Sequence, residues 1–203
     1  MKKILLLVIS ILLISGCGVK EFKKQTEEDR IKFKTDIEAL NDELDDNGLP
    51  VYKQLSIDED NRIVYLTYDE LVKFIDSGSG VLYFGRPGCP WCRLLIPYLL
   101  EFASDNDTYI YYYDIEADRT ENNAKYKKIL ELLDEFLPVD TVTQSEDDED
   151  FDKDLKRIVL PQLFFIKKGE VKDDTMLYEH EYLKNEEKEK TIDLLNSKYK
   201  SIK

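Results

Sequence analysis

The apolar residues change their spacing along the chain, and this change predicts alternating strands and helices. Val81-Leu82-Tyr83-Phe84 is apolar at consecutive positions, as in a strand that is buried on both faces. Before it, apolar residues recur every three or four positions over 68–76, which is typical of one helix face. Thr67 precedes this helix at the position that favours a capping side chain. Further upstream, 51–57 and 63–67 either pair as a hairpin or contribute only the second run as a core strand.

The second half of the chain contains further alternating patterns. In chain order they predict a helix over 93–102 that Pro97 should kink, a strand over 109–115, a helix over 123–137, an apolar strand over 158–166 that turns at 167–170 into an antiparallel hairpin, and a helix over 185–202. A parallel βαβ half is thus followed by a ββα half. This order predicts a three-layer α/β domain with a mixed central sheet.

The first residues carry the pattern of a secretion signal. Met1-Lys2-Lys3 is a basic start, and the apolar run from 4 to 14 is shorter than the ~20 residues that span a bilayer. The following Ile14-Ser15-Gly16-Cys17 resembles the bacterial lipoprotein signal, in which the cysteine is lipidated and becomes the first mature residue. The alternative is an ordinary signal peptide with an incidental cysteine. We expect residues 1–16 to be removed and Cys17 to anchor the protein on the extracytoplasmic face of the bacterial cell membrane.

Residues 17–50 would connect this anchor to the folded domain. Phe33, Ile37, Leu40 and Leu44 recur at spacings of four, three and four, which predicts an amphipathic helix that ends before Pro50. We expect a solvated helical stalk or linker, and a helix that pairs with a partner is the alternative. The remainder, 51–203, is expected to form the folded domain.

Composition narrows the choice of function. The chain carries 43 acidic and 29 basic residues and a net charge of -14, whereas a protein that binds nucleic acid would be expected to present a basic face. A helical and acidic insert is predicted at about 119–157. It contains Glu146-Asp147-Asp148-Glu149-Asp150, which we interpret as a solvated loop, with weak calcium binding as the alternative.

The cysteines indicate redox chemistry. The chain has three, so lipidation of Cys17 would leave Cys89 and Cys92. His180 is the only histidine, and a zinc site needs about four ligands, so no metal or other cofactor is expected. Cys89 lies at the predicted start of a helix, where unpaired backbone N–H groups and the helix dipole favour a thiolate. A thiolate attacks disulfides, and a second cysteine three residues later can close an internal disulfide.

From about 63 to 203 the sequence resembles the thioredoxin superfamily in two places. Gly85-Arg86-Pro87-Gly88-Cys89-Pro90-Trp91-Cys92, with Pro97 five residues later, matches the family's active-site loop and kinked helix. Leu160-Pro161, followed by an apolar strand and a turn, matches the family's cis-proline hairpin. The resemblance implies a cis Leu160–Pro161 bond, a proline that faces the cysteine pair, and substrate binding by the backbone of Leu160.

The same resemblance implies roles for the cysteine motif. Cys89 would be the exposed nucleophile and Cys92 the resolving cysteine, while Pro90 shapes the loop and Trp91 offers an apolar contact to substrate. One departure is Tyr83, which stands six residues before Cys89, where thioredoxin carries a buried aspartate. Proton handling at the second cysteine is therefore left open.

These observations predict a membrane-anchored extracytoplasmic thiol–disulfide oxidoreductase. Its partners would be protein thiols and disulfides, together with a redox partner in the membrane. The cysteine loop is also similar to small Gram-positive thioredoxin-like proteins of the bacteriocin-transport-accessory type. The alternative is accordingly a thioredoxin-fold accessory or binding lipoprotein of a secretion or cell-envelope system. Delivery of metal or haem through the dithiol is a third hypothesis, which no additional Cys, Met cluster or His supports.

Overall fold

The computed structural model describes residues 21–139, 152–177 and 180–203. These residues form five strands and seven α-helices. In chain order the elements are α1 (Glu27–Glu38), β1 (Ile63–Tyr65), α2 (Tyr68–Ser77), β2 (Ser79–Gly85), α3 (Pro90–Asp105), β3 (Ile110–Asp114), α4 (Glu116–Thr120), α5 (Ala124–Leu133), a 3-10 helix (Asp134–Phe136), β4 (Gln162–Lys167), β5 (Glu170–Met176), α6 (Glu181–Lys184) and α7 (Lys188–Tyr199).

The five strands form one mixed sheet in the order β1-β3-β2-β4-β5. Strands β1, β3 and β2 are parallel, and Val81 of β2 is in register with Ile110 of β3. On its other side β2 pairs antiparallel with β4, which places Val81 opposite Phe165. Strand β5 returns antiparallel beside β4. The mixed sheet is confirmed, and of the two alternatives for 51–67 only the second run forms a core strand.

Helices cover both faces of the sheet. Successive side chains of a strand point to opposite faces, and on β2 Val81 and Tyr83 pack with residues of α1, α3 and α7. Leu82 and Phe84 pack instead with residues of α2 and α5. The three-layer α/β arrangement that the sequence predicts is therefore confirmed.

Local sequence signals fix two of the elements around the sheet. Thr67 and Glu70 form a reciprocal capping box that starts α2. The turn between β4 and β5 uses Gly169 at φ +77°, and a Cβ there would lie 1.8 Å from the carbonyl oxygen of Asp76. Only glycine fits this close approach. The Gly169 N–H also donates to the Gly78 carbonyl at 2.9 Å, which holds the hairpin against the end of α2.

The N-terminal helix belongs to the folded domain, which corrects the prediction of a solvated stalk over 17–50. Phe33 and Ile37 of α1 are 0% and 1% exposed and pack in the core beside the sheet. The carboxylate of Asp29 accepts a hydrogen bond from the backbone N–H of Tyr65 at 3.1 Å. Even Phe22 packs edge-on against Phe74 and Tyr111. The described part of the domain therefore starts well before residue 51.

Two predicted segments lie outside the described residues. They are the signal segment with Cys17 and the acidic run at 146–150. Among the residues that are described, no helix combines the length and the apolar character needed to cross a membrane.

Candidate active site

The C-x-x-C motif lies where β2 passes into α3. Cys89 is the N-cap of α3, with Pro90 at the first helical position. Its Sγ accepts a hydrogen bond from the backbone N–H of Cys92 at 3.2 Å. Cys89 is 5% exposed and Cys92 is 0% exposed. The two thiols are adjacent, and Cys89 is the one that a substrate can reach.

The surroundings shift the pKa values of the two thiols in opposite directions. Hydrogen bonding from the Cys92 thiol, backbone N–H groups of Cys92 and Trp91 and the charge of Arg86 lower the pKa of Cys89 to about 7, although burial acts in the opposite direction. Burial raises the pKa of Cys92 well above its ordinary value, and the neighbouring Cys89 adds to this effect. Near neutral pH a substantial fraction of Cys89 is therefore thiolate, whereas Cys92 keeps its proton.

Alkylation of Cys89 by iodoacetamide is expected to accelerate with pH and to level off above about pH 7, because only the thiolate reacts and its pKa is lowered to about 7. The measurement is the alkylation rate of the reduced protein at each pH, with the modified cysteine located by mass spectrometry. Arg86→Gln should move the midpoint upward, since it removes a cation and leaves Glu116 uncompensated. Arg62→Gln is the control. A wild-type midpoint at the ~8.5 of an unperturbed thiol would contradict the prediction.

The loop before β4 faces the nucleophile. The Leu160–Pro161 bond is cis, which confirms the sequence prediction. The Cys89 thiol points at the carbonyl oxygen of Leu160, with 4.0 Å between the two atoms. Pro161 is buried and its carbonyl accepts from the backbone N–H of Leu177 at 3.0 Å. The structure thus brings together two segments that lie 71 residues apart.

A cavity of about 270 Å³ opens beside Cys89. Its lining consists of Arg86, Cys89, Pro90, Trp91, Arg119, Arg157, Val159 and Leu160. Four of the predicted site residues therefore share this cavity, while Cys92 and Pro161 lie outside its lining. Sequence reasoning missed its arginines. Their positions could have indicated them, because Arg119 and Arg157 are the two ends of the insert that was predicted to lie near the proline strand.

Tyr83 lies beneath the motif on β2. It is fully buried, and among the described residues its hydroxyl has no partner in hydrogen-bonding geometry. Gly85 leaves room for the hydroxyl, since a Cβ at that glycine would lie 2.5 Å from the Tyr83 oxygen. Burial, followed by the charge of Cys92, raises the pKa of Tyr83 well above its ordinary value, so the phenol keeps its proton. A protonated donor beside Cys92 opposes the rise in the Cys92 pKa.

Arg93, the residue after Cys92, is buried and has no carboxylate partner among the residues that the structure describes. Its side chain is 0% exposed. The guanidinium donates to four acceptors, which are the carbonyl oxygens of Ile37, Lys53 and Pro87 and the side-chain oxygen of Asn41, at 2.8–3.3 Å. It therefore ties the N-terminal segment to the active-site loop. No sequence pattern indicates this role, because a lone arginine after a helix start is usually solvated.

Within 21–139, 152–177 and 180–203, no three His, Cys, Asp or Glu side chains converge as a metal site would require.

Strand order and site position together define the class of this protein. Three parallel strands followed by an antiparallel hairpin, with C-x-x-C at the start of the helix after the central strand, form a thioredoxin-like fold, as predicted. No protein-family model and no curated protein matches the chain. Among solved structures, the crystal structure of thioredoxin O2 from Arabidopsis thaliana in the oxidized state is similar. It shares 20% identity at a TM-score of 0.38, over 62% of this chain and 90% of that chain.

Proposed function

We propose that this protein is a thiol–disulfide oxidoreductase that exchanges electrons with protein thiols and disulfides through Cys89 and Cys92. The observation that carries the proposal is that the two cysteines of the motif differ in exposure and in pKa. Cys89 reaches the surface with a lowered pKa, while Cys92 is buried with a raised pKa. A thiolate nucleophile beside a protonated second thiol is the arrangement that two-step disulfide exchange needs.

In the first step the Cys89 thiolate attacks one sulfur of a substrate disulfide. A Cys89–substrate disulfide forms, the substrate S–S bond breaks, and the other substrate sulfur leaves as a thiolate that takes up a proton. The Leu160 carbonyl lies beside Cys89 and is placed to accept a backbone N–H from an extended substrate segment. Trp91, half-buried on the same cavity, offers an apolar contact.

In the second step Cys92 attacks the Cys89 sulfur. Cys92 gives its proton to a solvent base, the Cys89–Cys92 disulfide forms, and the Cys89–substrate S–S bond breaks. The second substrate sulfur leaves as a thiolate that is protonated by solvent. Two electrons have then passed from the protein to the substrate, and the reverse sequence oxidises a substrate dithiol. Once Cys89 is disulfide-bonded, its charge no longer opposes ionisation of Cys92. The Tyr83 O–H then stands as the donor that stabilises the Cys92 thiolate.

Replacing Tyr83 with phenylalanine is expected to slow the second step by about tenfold, because a hydrogen bond to a charged acceptor is worth about 1.5–3 kcal/mol. The measurement is quenched-flow kinetics, which should show the mixed disulfide accumulating while the first step keeps its rate. Tyr112→Phe is the matched control, since this phenol is buried in the same core cluster and its ring centroid lies 5.3 Å from that of Tyr83. Equal second-step rates in all three proteins would contradict this role for Tyr83.

We further propose that the domain acts outside the cytoplasm, anchored through a lipid on Cys17. The support is the order of residues in Ile14-Ser15-Gly16-Cys17 and the apolar run before it. Labelled palmitate should be incorporated by the full chain and not by a Cys17→Ser variant. Incorporation that survives this substitution would refute the anchor.

The redox proposal is tested by a titration of the reduced domain against glutathione redox buffers, combined with an insulin-reduction assay. The expected result is a reversible two-electron transition of Cys89 and Cys92 and a rate of insulin reduction above that of buffer. The Cys89→Ser/Cys92→Ser double variant is the blank. A folded domain that shows no redox transition would refute the oxidoreductase proposal and leave the accessory role.

A further inference from the structure

The cavity beside Cys89 differs in charge from the rest of the molecule. The chain has a net charge of -14 and six arginines, at 30, 62, 86, 93, 119 and 157. Three of the six, Arg86, Arg119 and Arg157, line this one cavity, and among the residues that the structure describes no aspartate or glutamate lines it. The cavity is therefore cationic although the protein is acidic. Thiol–disulfide exchange alone does not require three arginines beside the nucleophile.

One of the three arginines acts on the thiolate. Arg86 lies in the active-site loop, where its guanidinium pairs with Glu116 at 2.6 Å and its charge helps to lower the pKa of Cys89. It therefore belongs in part to activation of the nucleophile. Arg119 and Arg157 are not among the largest causes of the Cys89 pKa shift.

Arg119 is the arginine that is available to a ligand. It is half-buried on α4, and its side chain forms no hydrogen bond or ion pair with any of the residues that the structure describes. Holding a partly desolvated guanidinium without an anion is unfavourable, and a carboxylate would satisfy it with paired, charge-assisted hydrogen bonds.

Arg157 brings the other end of the insert to the same cavity. Its backbone N–H donates to the carbonyl of Pro138 at 3.3 Å, next to an isolated antiparallel bridge between Val139 and Lys156. The two chain segments that meet at this bridge close the base of the insert. The chain then runs directly through Val159 and Leu160 into the loop that faces Cys89, so an anion at Arg157 would lie along the path of a substrate backbone.

We propose that this cavity binds carboxylate side chains next to the reacting cysteine of the substrate, so that the preferred substrate is an acidic protein segment. The inference rests on the proposed function and names the substrate class of the same site. The net negative charge of the protein repels an acidic segment, whereas the arginines of the cavity attract its carboxylates. The exchange itself is unchanged, because the arginines contribute binding and orientation and take no part in electron transfer.

The test uses three peptides that share one internal disulfide and differ only in its flanking residues, which are glutamate, glutamine or lysine. The value of kcat/KM for their reduction is measured at low and at high salt. We expect the glutamate peptide to react about tenfold faster than the lysine peptide at low salt, with a smaller ratio at high salt because screening weakens the pairing.

Variants separate binding from activation of the thiolate. Arg119→Gln is expected to raise KM for the glutamate peptide more than for the lysine peptide, and to move the Cys89 alkylation midpoint less than Arg86→Gln does. Arg62→Gln, which removes an arginine that pairs with Asp107 away from the cavity, should behave as wild type. Equal kcat/KM for the glutamate and lysine peptides, or an Arg119→Gln variant that matches wild type, would overturn the proposal.

A binding experiment distinguishes failure of the carboxylate-binding proposal from failure of the redox proposal. The same peptides with serine in place of cysteine are titrated against the Cys89→Ser/Cys92→Ser domain by fluorescence anisotropy. Tighter binding of the glutamate peptide supports the cavity assignment, and equal binding refutes it. Failure of the redox proposal alone would instead appear as an absence of exchange with dithiothreitol and with every disulfide peptide.

Discussion

Replacing Cys92 with alanine is expected to stop the reaction at the mixed disulfide. Cys89 would still attack the substrate, but the thiol that resolves the intermediate would be gone. Each protein molecule should then retain one substrate molecule through a Cys89–substrate bond, and turnover should end after the first step. Mass spectrometry after incubation with a disulfide peptide measures this adduct, which dithiothreitol should release.

Cys89→Ala is the matched control for the trap. It retains only Cys92 in the motif, and that thiol is 0% exposed and has a raised pKa. We expect no adduct from it under the same conditions. An equal adduct from both variants would contradict the assignment of nucleophile and resolving cysteine, as would a folded Cys92→Ala domain that forms none.

Much of the fold follows from local patterns in the sequence. The consecutive apolar residues of β2, the spacing in α2 and the capping residue Thr67 each depend on neighbours within about one turn or one strand. The cysteine pair and the cis Leu160–Pro161 bond were predicted because each belongs to a motif with a recognisable order of residues. That these motifs face each other followed from the thioredoxin resemblance and not from spacing.

What could not be predicted depends on contacts between distant segments. The spacing of Phe33 and Ile37 indicates an apolar helix face, but it does not say which surface covers that face. The prediction of a solvated stalk assumed that no other part of the chain covers this helix face. Arg119 and Arg157 are 38 positions apart in the numbering, and only the fold brings them to one cavity.

Tyr83 could be predicted only in part from the sequence. The sequence identifies it as a replacement for the buried acid expected at that position. It does not show that the phenol keeps its proton, because that depends on complete burial and on the nearby Cys92. A donor in place of an acceptor changes the chemistry at this position. A carboxylate would take a proton from Cys92, whereas in the proposed mechanism Tyr83 stabilises the thiolate after another base has taken the proton.

The buried guanidinium of Arg93 couples the N-terminal segment to the catalytic motif. It reaches Ile37 at the end of α1, Asn41 and Lys53 beyond it, and Pro87 in the loop before Cys89. Tyr52 adds its ring, with 5.6 Å between the ring centroid and the guanidinium carbon. The segment that the sequence analysis assigned to a stalk therefore supports the loop that holds the nucleophile.

Replacing Arg93 with methionine is expected to lower the free energy of unfolding by at least about 3 kcal/mol, because four acceptors lose their donor and a buried unpaired polar group costs about 1–3 kcal/mol. Urea unfolding followed by circular dichroism measures the loss. Trp91, the only tryptophan, provides a fluorescence signal from the active-site helix itself.

The comparison with other substitutions decides whether the cost comes from the hydrogen bonds. Arg62→Met removes an ion pair whose acidic partner, Asp107, is largely exposed, and it should cost less than about 1 kcal/mol. Arg93→Lys should fall between the two, since a single ammonium with three donors cannot replace a planar guanidinium that serves four acceptors. If Arg93→Met unfolds within about 1 kcal/mol of wild type, the guanidinium does not hold the N-terminal segment against the loop. Helix α1 must then be retained by its other contacts, which include the burial of Phe33 and Ile37 and the hydrogen bond from Tyr65 to Asp29.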